Sequence, residues 1–172
     1  MDFIYLDHNA TTPLQPKAFE AMLPVMRDHF GNPSSTHFFG RTARVRVDEA
    51  REKVAELVNA RAREIVFTSG GTESNNFAIV GTSLALKKKG RHILTSKVEH
   101  PSALNACRYL EKLGFEVEFL DVDGEGRIDP ELVESALRAD TVLVTIQHAN
   151  SEVGTLQDID SIGRKVREKG VV

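Results

Sequence analysis

The stretch Phe67-Thr-Ser-Gly-Gly-Thr-Glu-Ser-Asn-Asn-Phe77 decides the fold of this chain. A β-branched, apolar run, Glu64-Ile-Val-Phe-Thr68, leads into it, and Phe77, Val80, Leu84 and Ala85 follow at helical spacing. The pattern reads as strand, tight turn and helix. Adjacent glycines let a backbone approach a ligand with no Cβ in the way, and a new helix offers free N–H groups and the positive end of its dipole. The turn is therefore either a seat for a phosphate or carboxylate, or an ordinary βα turn with a Thr or Ser cap.

Downstream, strand-like and helix-like segments alternate. His92-Ile-Leu-Thr95 reads as a strand, Val98-Glu-His-Pro-Ser102 as a loop, and Leu104, Cys107, Leu110 and Leu113 as the apolar stripe of a helix stopped by Gly114. Phe115-Glu-Val-Glu-Phe-Leu120 is a strand, and residues 129–137 form a helix with an Asp cap and Pro130 at its start. The continuous apolar run Thr141-Val-Leu-Val-Thr-Ile146 is typical of a parallel strand covered on both faces. A polar loop, His148-Ala-Asn-Ser-Glu-Val-Gly-Thr155, precedes a last helix over residues 159–169. Four strands alternating with helices from Ile65 predict an α/β fold, a mostly parallel sheet with helices on both faces. Ligands of such sheets bind beyond the carboxyl ends of the strands, where three polar loops, 69–76, 98–102 and 148–155, can share one rim. Gly170-Val171-Val172 has the pattern of a further strand beginning, so a truncated chain is expected, against the alternative of a natural terminus with a frayed tail.

Upstream, Phe3-Ile-Tyr-Leu6 is a short strand-like run before the turn-rich residues 7–13. Pro16 opens an amphipathic helix with Ala18, Phe19, Met22, Leu23 and Met26 on one face, which Pro24 bends or shortens. Residues 30–40 are a loop by composition. Val47, Ala50, Val54, Leu57 and Val58 then recur at helical spacing, and the charges between them form a solvated face.

Composition fits a globular chain that buries roughly 70% of its unfolded surface. Of its 172 residues, 41% are hydrophobic and 27% charged, and 22 Lys and Arg against 25 Asp and Glu leave a formal net charge of −3. No basic excess points to nucleic acid. The single cysteine, Cys107, excludes an internal disulfide framework, fits a reducing, cytoplasmic setting, and lies on an apolar stripe where a free thiol packs as a small hydrophobe. No window approaches the ~20 apolar residues of a membrane span. The glycine patterns of dinucleotide and Walker sites are missing after a strand, and no paired cysteines or His-Glu-x-x-His run points to a metal.

Five motifs in order resemble the pyridoxal-phosphate-dependent cysteine desulfurases of the class V aminotransferase superfamily, in particular the group serving iron–sulfur cluster assembly. They are Tyr5-Leu-Asp-His-Asn-Ala-Thr-Thr-Pro13, Gly31-Asn-Pro-Ser-Ser-Thr-His37 with Gly40, Phe67-Thr-Ser-Gly-Gly-Thr-Glu-Ser-Asn-Asn76, Val98-Glu-His-Pro-Ser102, and His148-Ala-Asn-Ser-Glu-Val-Gly-Thr155 with Gln157. The resemblance implies the first part of the large domain of a fold-type I transferase, with residues 1–15 belonging to the small domain and 16–172 to the large, cofactor-binding one. It implies that Gly71 and Thr72 hold the phosphate of pyridoxal 5'-phosphate, that His100 stacks on the pyridine ring and takes part in proton transfer, and that Asn150 donates to the phenolic oxygen. A loop histidine bonded to backbone and a plain turn asparagine are the alternatives for the last two. Asn9, Ala10, Asn32 and Ser34 are implied near the substrate amino acid, with a structural loop role open for Asn32 and Ser34.

The implied reaction takes L-cysteine to L-alanine and leaves a persulfide on the enzyme, and the implied partners are a sulfur acceptor or scaffold protein and a second copy in a homodimer. The family's Schiff-base lysine, pyridine-nitrogen aspartate, substrate-carboxylate arginine and sulfur-accepting cysteine are implied beyond Val172. Lys97, Lys165, Lys169 and Cys107 match none of those motifs. Two other readings stand beside this one: a related class V enzyme acting on selenocysteine or as an aminotransferase, and a non-catalytic assembly or binding module.

Overall fold

Ile93 and Leu94 are adjacent and fully buried, yet they belong to two separate cores. Successive side chains of a strand point to opposite faces, so a strand buried along its length must be covered on both sides. That strand is β1 (His92–Ser96), every residue of which is buried. In the computed structural model, which describes residues 3–172, β1 is the centre of a three-stranded sheet of order β2-β1-β3. Both β2 (Glu116–Leu120) and β3 (Thr141–Thr145) run parallel to it.

On one face Ile93, Val142 and Leu143 pack with Ile79 of α3 (Gly71–Leu86) and with Ala103, Ala106, Cys107 and Leu110 of α4 (Pro101–Lys112). On the other, Leu94 and Leu120 pack with Val133 of α5 (Pro130–Ala136) and with Ile162 and Val166 of α6 (Ile159–Glu168). The sheet covered by helices on both faces is therefore the fold that the alternating pattern predicts. Ser96 pairs with Leu120 and Thr95 with Thr145, so the three strands end at one level and their exits share a rim.

Local signals set the helix starts. Asp129 accepts from the Glu131 N–H at 2.9 Å with Pro130 in the first turn, and Asp158 accepts from the Ser161 N–H at 3.1 Å. At the end of the chain Val144 N–H donates to Val172 O at 2.8 Å and Val171 packs against the second core. These two valines thus lie along β3, as the start of a strand would.

Two expected strands are not formed. Ile65 is extended, with φ −91° and ψ 127°, but residues 65–68 pair with no strand among the described residues, and Val66 and Phe67 are exposed. Residues 3–6 are likewise irregular, with Phe3, Ile4 and Leu6 exposed. β propensity supplies an extended backbone; a strand also needs a ladder partner.

The chain divides into two compact units, Met1–Phe67 and Thr68–Val172; Met1 and Asp2, the first residues of the 1–15 segment, lie outside the described residues. The first unit holds α1 (Pro16–Asp28), which continues through Pro24, α2 (Phe38–Leu57) and a 3-10 turn at Ala62–Glu64. α2 begins inside the 30–40 stretch read as a loop, because His37 caps it, with Nδ1 accepting from the Gly40 N–H at 3.3 Å. Arg51 fixes the segment after α2 by donating to Ile65 O at 2.6 Å while its guanidinium sits 5.1 Å from the centre of the Phe67 ring.

Candidate active site

The second unit begins with the glycine turn. α3 starts at Gly71, so the N–H groups of Gly71, Thr72 and Glu73 lack intrahelical acceptors. A Cβ built on Gly70 or Gly71 would meet nothing within 4 Å, and neither residue has the left-handed backbone that demands glycine. Neither the chain's own packing nor a left-handed backbone requires glycine at these two positions, and both border open space. The flanks of the turn are braced. Glu73 Oε2 accepts from Ser69 N–H at 2.5 Å and from Ser69 Oγ at 2.6 Å, and these bonds hold its carboxyl below the usual range. The Thr68 and Ser74 hydroxyls meet at 2.6 Å.

His100 sits where β1 gives way to α4. It is the N-cap of that helix, with Pro101 in the first turn, and its Nδ1 accepts from Ser102 N–H at 3.1 Å. Ser102 Oγ lies 2.7 Å from the same nitrogen and 2.7 Å from Nδ2 of Asn75 on α3. The glycine turn and the histidine are thereby tied together through one half-buried and one buried side chain.

Asn150 organises the third loop. Its Nδ2 donates to Val98 O at 3.1 Å, and its Oδ1 accepts from the Glu152 and Val153 N–H groups at 2.9 and 3.0 Å. This is the turn role named as its alternative, and it leaves the second amide hydrogen uncommitted. Beside it, Gln147 Nε2 donates to Val98 O at 2.6 Å and its N–H meets the Glu99 carboxylate at 2.9 Å. Glu99 also accepts from Ser96 Oγ at 2.7 Å, and burial pushes its carboxyl pKa up against the pull of those two donors. The loops after β1 and β3 are thus joined at two points, and the rim expected from the topology is present.

A cleft of about 820 Å³ is lined by Val98, Glu99, Asn150 and the 122–127 and 152–155 loops, and by neither Gly71 nor His100. Gln157 spans the base of those loops, accepting from Ile128 N–H at 2.9 Å and donating to Gly126 O at 2.7 Å. Two of the lysines and the thiol are otherwise engaged. Lys97 pairs with Asp121, and Lys165 lies between Glu131 and Glu134, which raise its pKa, the reverse of what a nucleophilic amine needs. Cys107 is fully buried, and burial, reinforced by the charges of Glu99 and Glu111, pushes its thiol up to about 11. Among the described residues no helix is long and apolar enough to cross a membrane, and no cluster of ligating side chains is placed to hold a metal ion.

Hydrogen bonds thus link the open glycine turn to the capping histidine through Asn75 and Ser102, while the loop asparagine bonds Val98, two residues before that histidine. The sequence matches the family Aminotransferase class-V over residues 4–172. The chain belongs to that family. It is 53% identical over 165 residues to the cysteine desulfurase IscS of Dictyoglomus turgidum, covering 96% of this chain and 42% of that protein. It is 51% identical over 168 residues to the putative cysteine desulfurase IscS 1 of Bacillus subtilis, covering 98% and 44%. Among solved structures, a NifS-like protein superposes with a TM-score of 0.92 at 38% identity, covering 96% of this chain and 46% of that one. SspA in complex with cysteine superposes with a TM-score of 0.92 at 40% identity, covering 97% and 48%. The chain spans a little under half the length of these relatives.

In this class-V aminotransferase chain, Asn9, Ala10, Asn32 and Ser34 all belong to the Met1–Phe67 unit. Ala10 N–H donates to Asp7 O at 3.2 Å, and Asn32 Oδ1 accepts from Ser34 N–H at 2.9 Å, the structural loop role left open for that pair. The sequence reading passed over Asn75, Glu99, Ser102 and Gln147. Ser102 had a local signal, a hydroxyl two residues after a capping position. Asn75 and Glu99 lie in the quoted motifs, but their contacts, like those of Gln147, reach across the fold and had no local signal.

Proposed function

We propose that this chain forms the phosphate-holding, large-domain part of a pyridoxal 5'-phosphate-dependent cysteine desulfurase. In that role the whole enzyme converts L-cysteine to L-alanine and carries the sulfur as a persulfide for iron–sulfur clusters or RNA thiolation. The observation that carries the reading is the pair Gly70-Gly71, which faces open space beside unshared N–H groups at the start of α3. The names of the relatives support it, and so do the free N–H groups and the positive dipole end of α3, which suit an anion such as a phosphate better than a cation.

Gly71 and Thr72 would hold the phosphate, His100 would lie against the pyridine ring, and the free amide hydrogen of Asn150 would meet the phenolic oxygen. Bound there, pyridoxal phosphate supplies an electron sink for the substrate carbanion. The chain's own residues bind and orient. The N–H groups and dipole of α3 offset phosphate charge, the Val98 carbonyl holds Asn150 in place, and the Glu99 bonds keep the β1 and β3 exits together. In the same reading Asn9, Ala10, Asn32 and Ser34 approach the substrate, and residues 1–15 join the small domain while 16–172 belong to the large one. The enzyme works in the cytoplasm as a homodimer that passes sulfur to an acceptor or scaffold protein.

The test titrates pyridoxal phosphate into the protein and follows its absorbance and fluorescence. Saturable binding is expected, and Gly71→Asp, which sets a carboxylate in the seat, should weaken it by more than about tenfold, or about 1.4 kcal/mol. Binding indifferent to Gly71→Asp would overturn the assignment of the seat. With the polypeptide as its gene encodes it, alanine release from L-cysteine should fall by about 100-fold or more in His100→Ala.

A further inference from the structure

We propose that Ser102, oriented by Asn75, is a positioning residue that fixes His100 as its Nε2–H tautomer, so that the ring presents a hydrogen-bond donor to whatever occupies the site. What that donor serves depends on the functional reading above; the tautomer follows from the geometry alone.

Ser102 N–H, which can only donate, is 3.1 Å from His100 Nδ1, so Nδ1 contributes a lone pair. Ser102 Oγ is 2.7 Å from the same nitrogen. A hydroxyl has one hydrogen and two lone pairs, and Asn75 Nδ2, also a pure donor, takes one lone pair at 2.7 Å. The hydroxyl hydrogen is then left for Nδ1. Two donors converge on that nitrogen, and a neutral imidazole so held carries its single hydrogen on Nε2. Exchanging the oxygen and nitrogen of the Asn75 amide would not undo this, because the backbone N–H of Ser102 has no such freedom. Nε2 itself has no hydrogen-bond partner among the described residues.

The placement of Asn75 gives the device its use. It lies four residues after Gly71 on α3, so one helix both begins at the anion seat and sets the tautomer of the histidine. Ser102, the link, is only 7% exposed, which shields the two bonds from competing water, while His100 itself is exposed to an incoming ligand. The preferred ligand atom at Nε2 is accordingly an acceptor, such as an oxyanion or an unprotonated amine, on a molecule whose phosphate occupies the α3 turn. In the other neutral tautomer, with its hydrogen on Nδ1, the ring would lose the cap bond from Ser102 N–H and turn a lone pair, not a donor, outward at Nε2.

The experiment is long-range 1H–15N correlation of the histidine ring in 15N-labelled protein at about pH 8.5, where a histidine of ordinary pKa is neutral. The wild-type chain should show an acceptor-type Nδ1 and a protonated Nε2 at widely separated shifts. Ser102→Ala keeps the backbone donor but loses Oγ, and should draw the two shifts toward their mean; Ser102→Thr, which restores a hydroxyl, should recover the separation. Asn75→Asp keeps the shape but only accepts, so it captures the Ser102 hydrogen and should act like Ser102→Ala, with the melting temperature as a check on folding. A protonated Nδ1 in the wild type, or shifts unmoved by both Ser102→Ala and Asn75→Asp, would overturn the proposal. A wild-type chain that shows the tautomer yet binds no pyridoxal phosphate supports this inference while overturning the functional reading.

Discussion

At the amino ends of the strands, a Cβ on Gly90 would lie 2.0 Å from the carbonyl oxygen of Asp140; on the α3 turn tied by Asn75 to the exit of β1, a Cβ on Gly71 would touch nothing within 4 Å. The first region is closed by the chain itself. His92 N–H donates to Asp140 O at 3.1 Å, the buried His92 Nδ1 meets Thr141 Oγ1 at 2.8 Å, and Arg138 bonds both Glu116 and Asp140. The second region is braced at its edges, through Glu73–Ser69 and Asn75–Ser102–His100, and left open in the middle. The same residue type therefore sits in two opposite settings: Gly90 makes room for the chain's own backbone, whereas Gly71 borders open space, which in the proposed function a phosphate fills.

Substitution separates these two uses. Gly90→Ala drives a methyl into backbone that has no rotamer to yield, and it should destabilise the chain by about 3 kcal/mol, lowering the melting temperature by roughly 6–12 °C. A calorimetric melt that matches the wild type would break the comparison at its packed end. Gly71→Ala should do the opposite. The methyl meets open space at a helical position, so stability should hold or rise by up to about 1 kcal/mol, while pyridoxal phosphate affinity falls by about tenfold. If Gly71→Ala lowered stability and left affinity unchanged, the glycine would be serving the fold and the comparison would collapse.

The sequence was a good guide wherever the cause was local. Alternating apolar segments marked β1 and β3, Asp-Pro marked the start of α5, and the polar runs at 98–102 and 148–155 fell at the rim that their strands end on. Residues 64–68 had the composition of a strand but no partner beside them, and a ladder is a property of two segments. His37 as a helix cap was missed because its ring nitrogen does the work usually assigned to Ser, Thr, Asp or Asn. Within the site, the residues of the motifs were legible and the bonds between them were not. Asn75 and Ser102 are 27 positions apart, and Glu99 and Gln147 are 48 apart, so neither contact leaves a periodic trace in the chain. Asn150 was legible in both its readings, and the structure displays the turn role directly through Val98, Glu152 and Val153.

The smallest expected effect concerns Glu99, which lies between the packed core and the open rim. It is 8% exposed, and its carboxylate holds the Ser96 hydroxyl and the Gln147 N–H. Burial raises its pKa above the ordinary 4.5, and the two donors only partly offset that rise. A carboxyl with a raised folded-state pKa favours the neutral form in the folded chain. Its contribution to stability is therefore complete below the ordinary value and is lost as pH rises through the higher folded one. Glu99→Gln stays neutral throughout and retains an oxygen for the Gln147 N–H. Relative to the wild type, the variant should thus gain in melting temperature as pH is raised from about 4.5 toward neutrality, by a few degrees in all. Melting curves recorded for both proteins across that interval check the sign, since every other titrating group is shared and cancels in the difference. A wild-type chain that gains on Glu99→Gln with rising pH would mean that the charged carboxylate is the favoured form, held by Ser96 and Gln147 strongly enough to outweigh its burial; the clamp between the β1 and β3 exits would then be strongest when ionised.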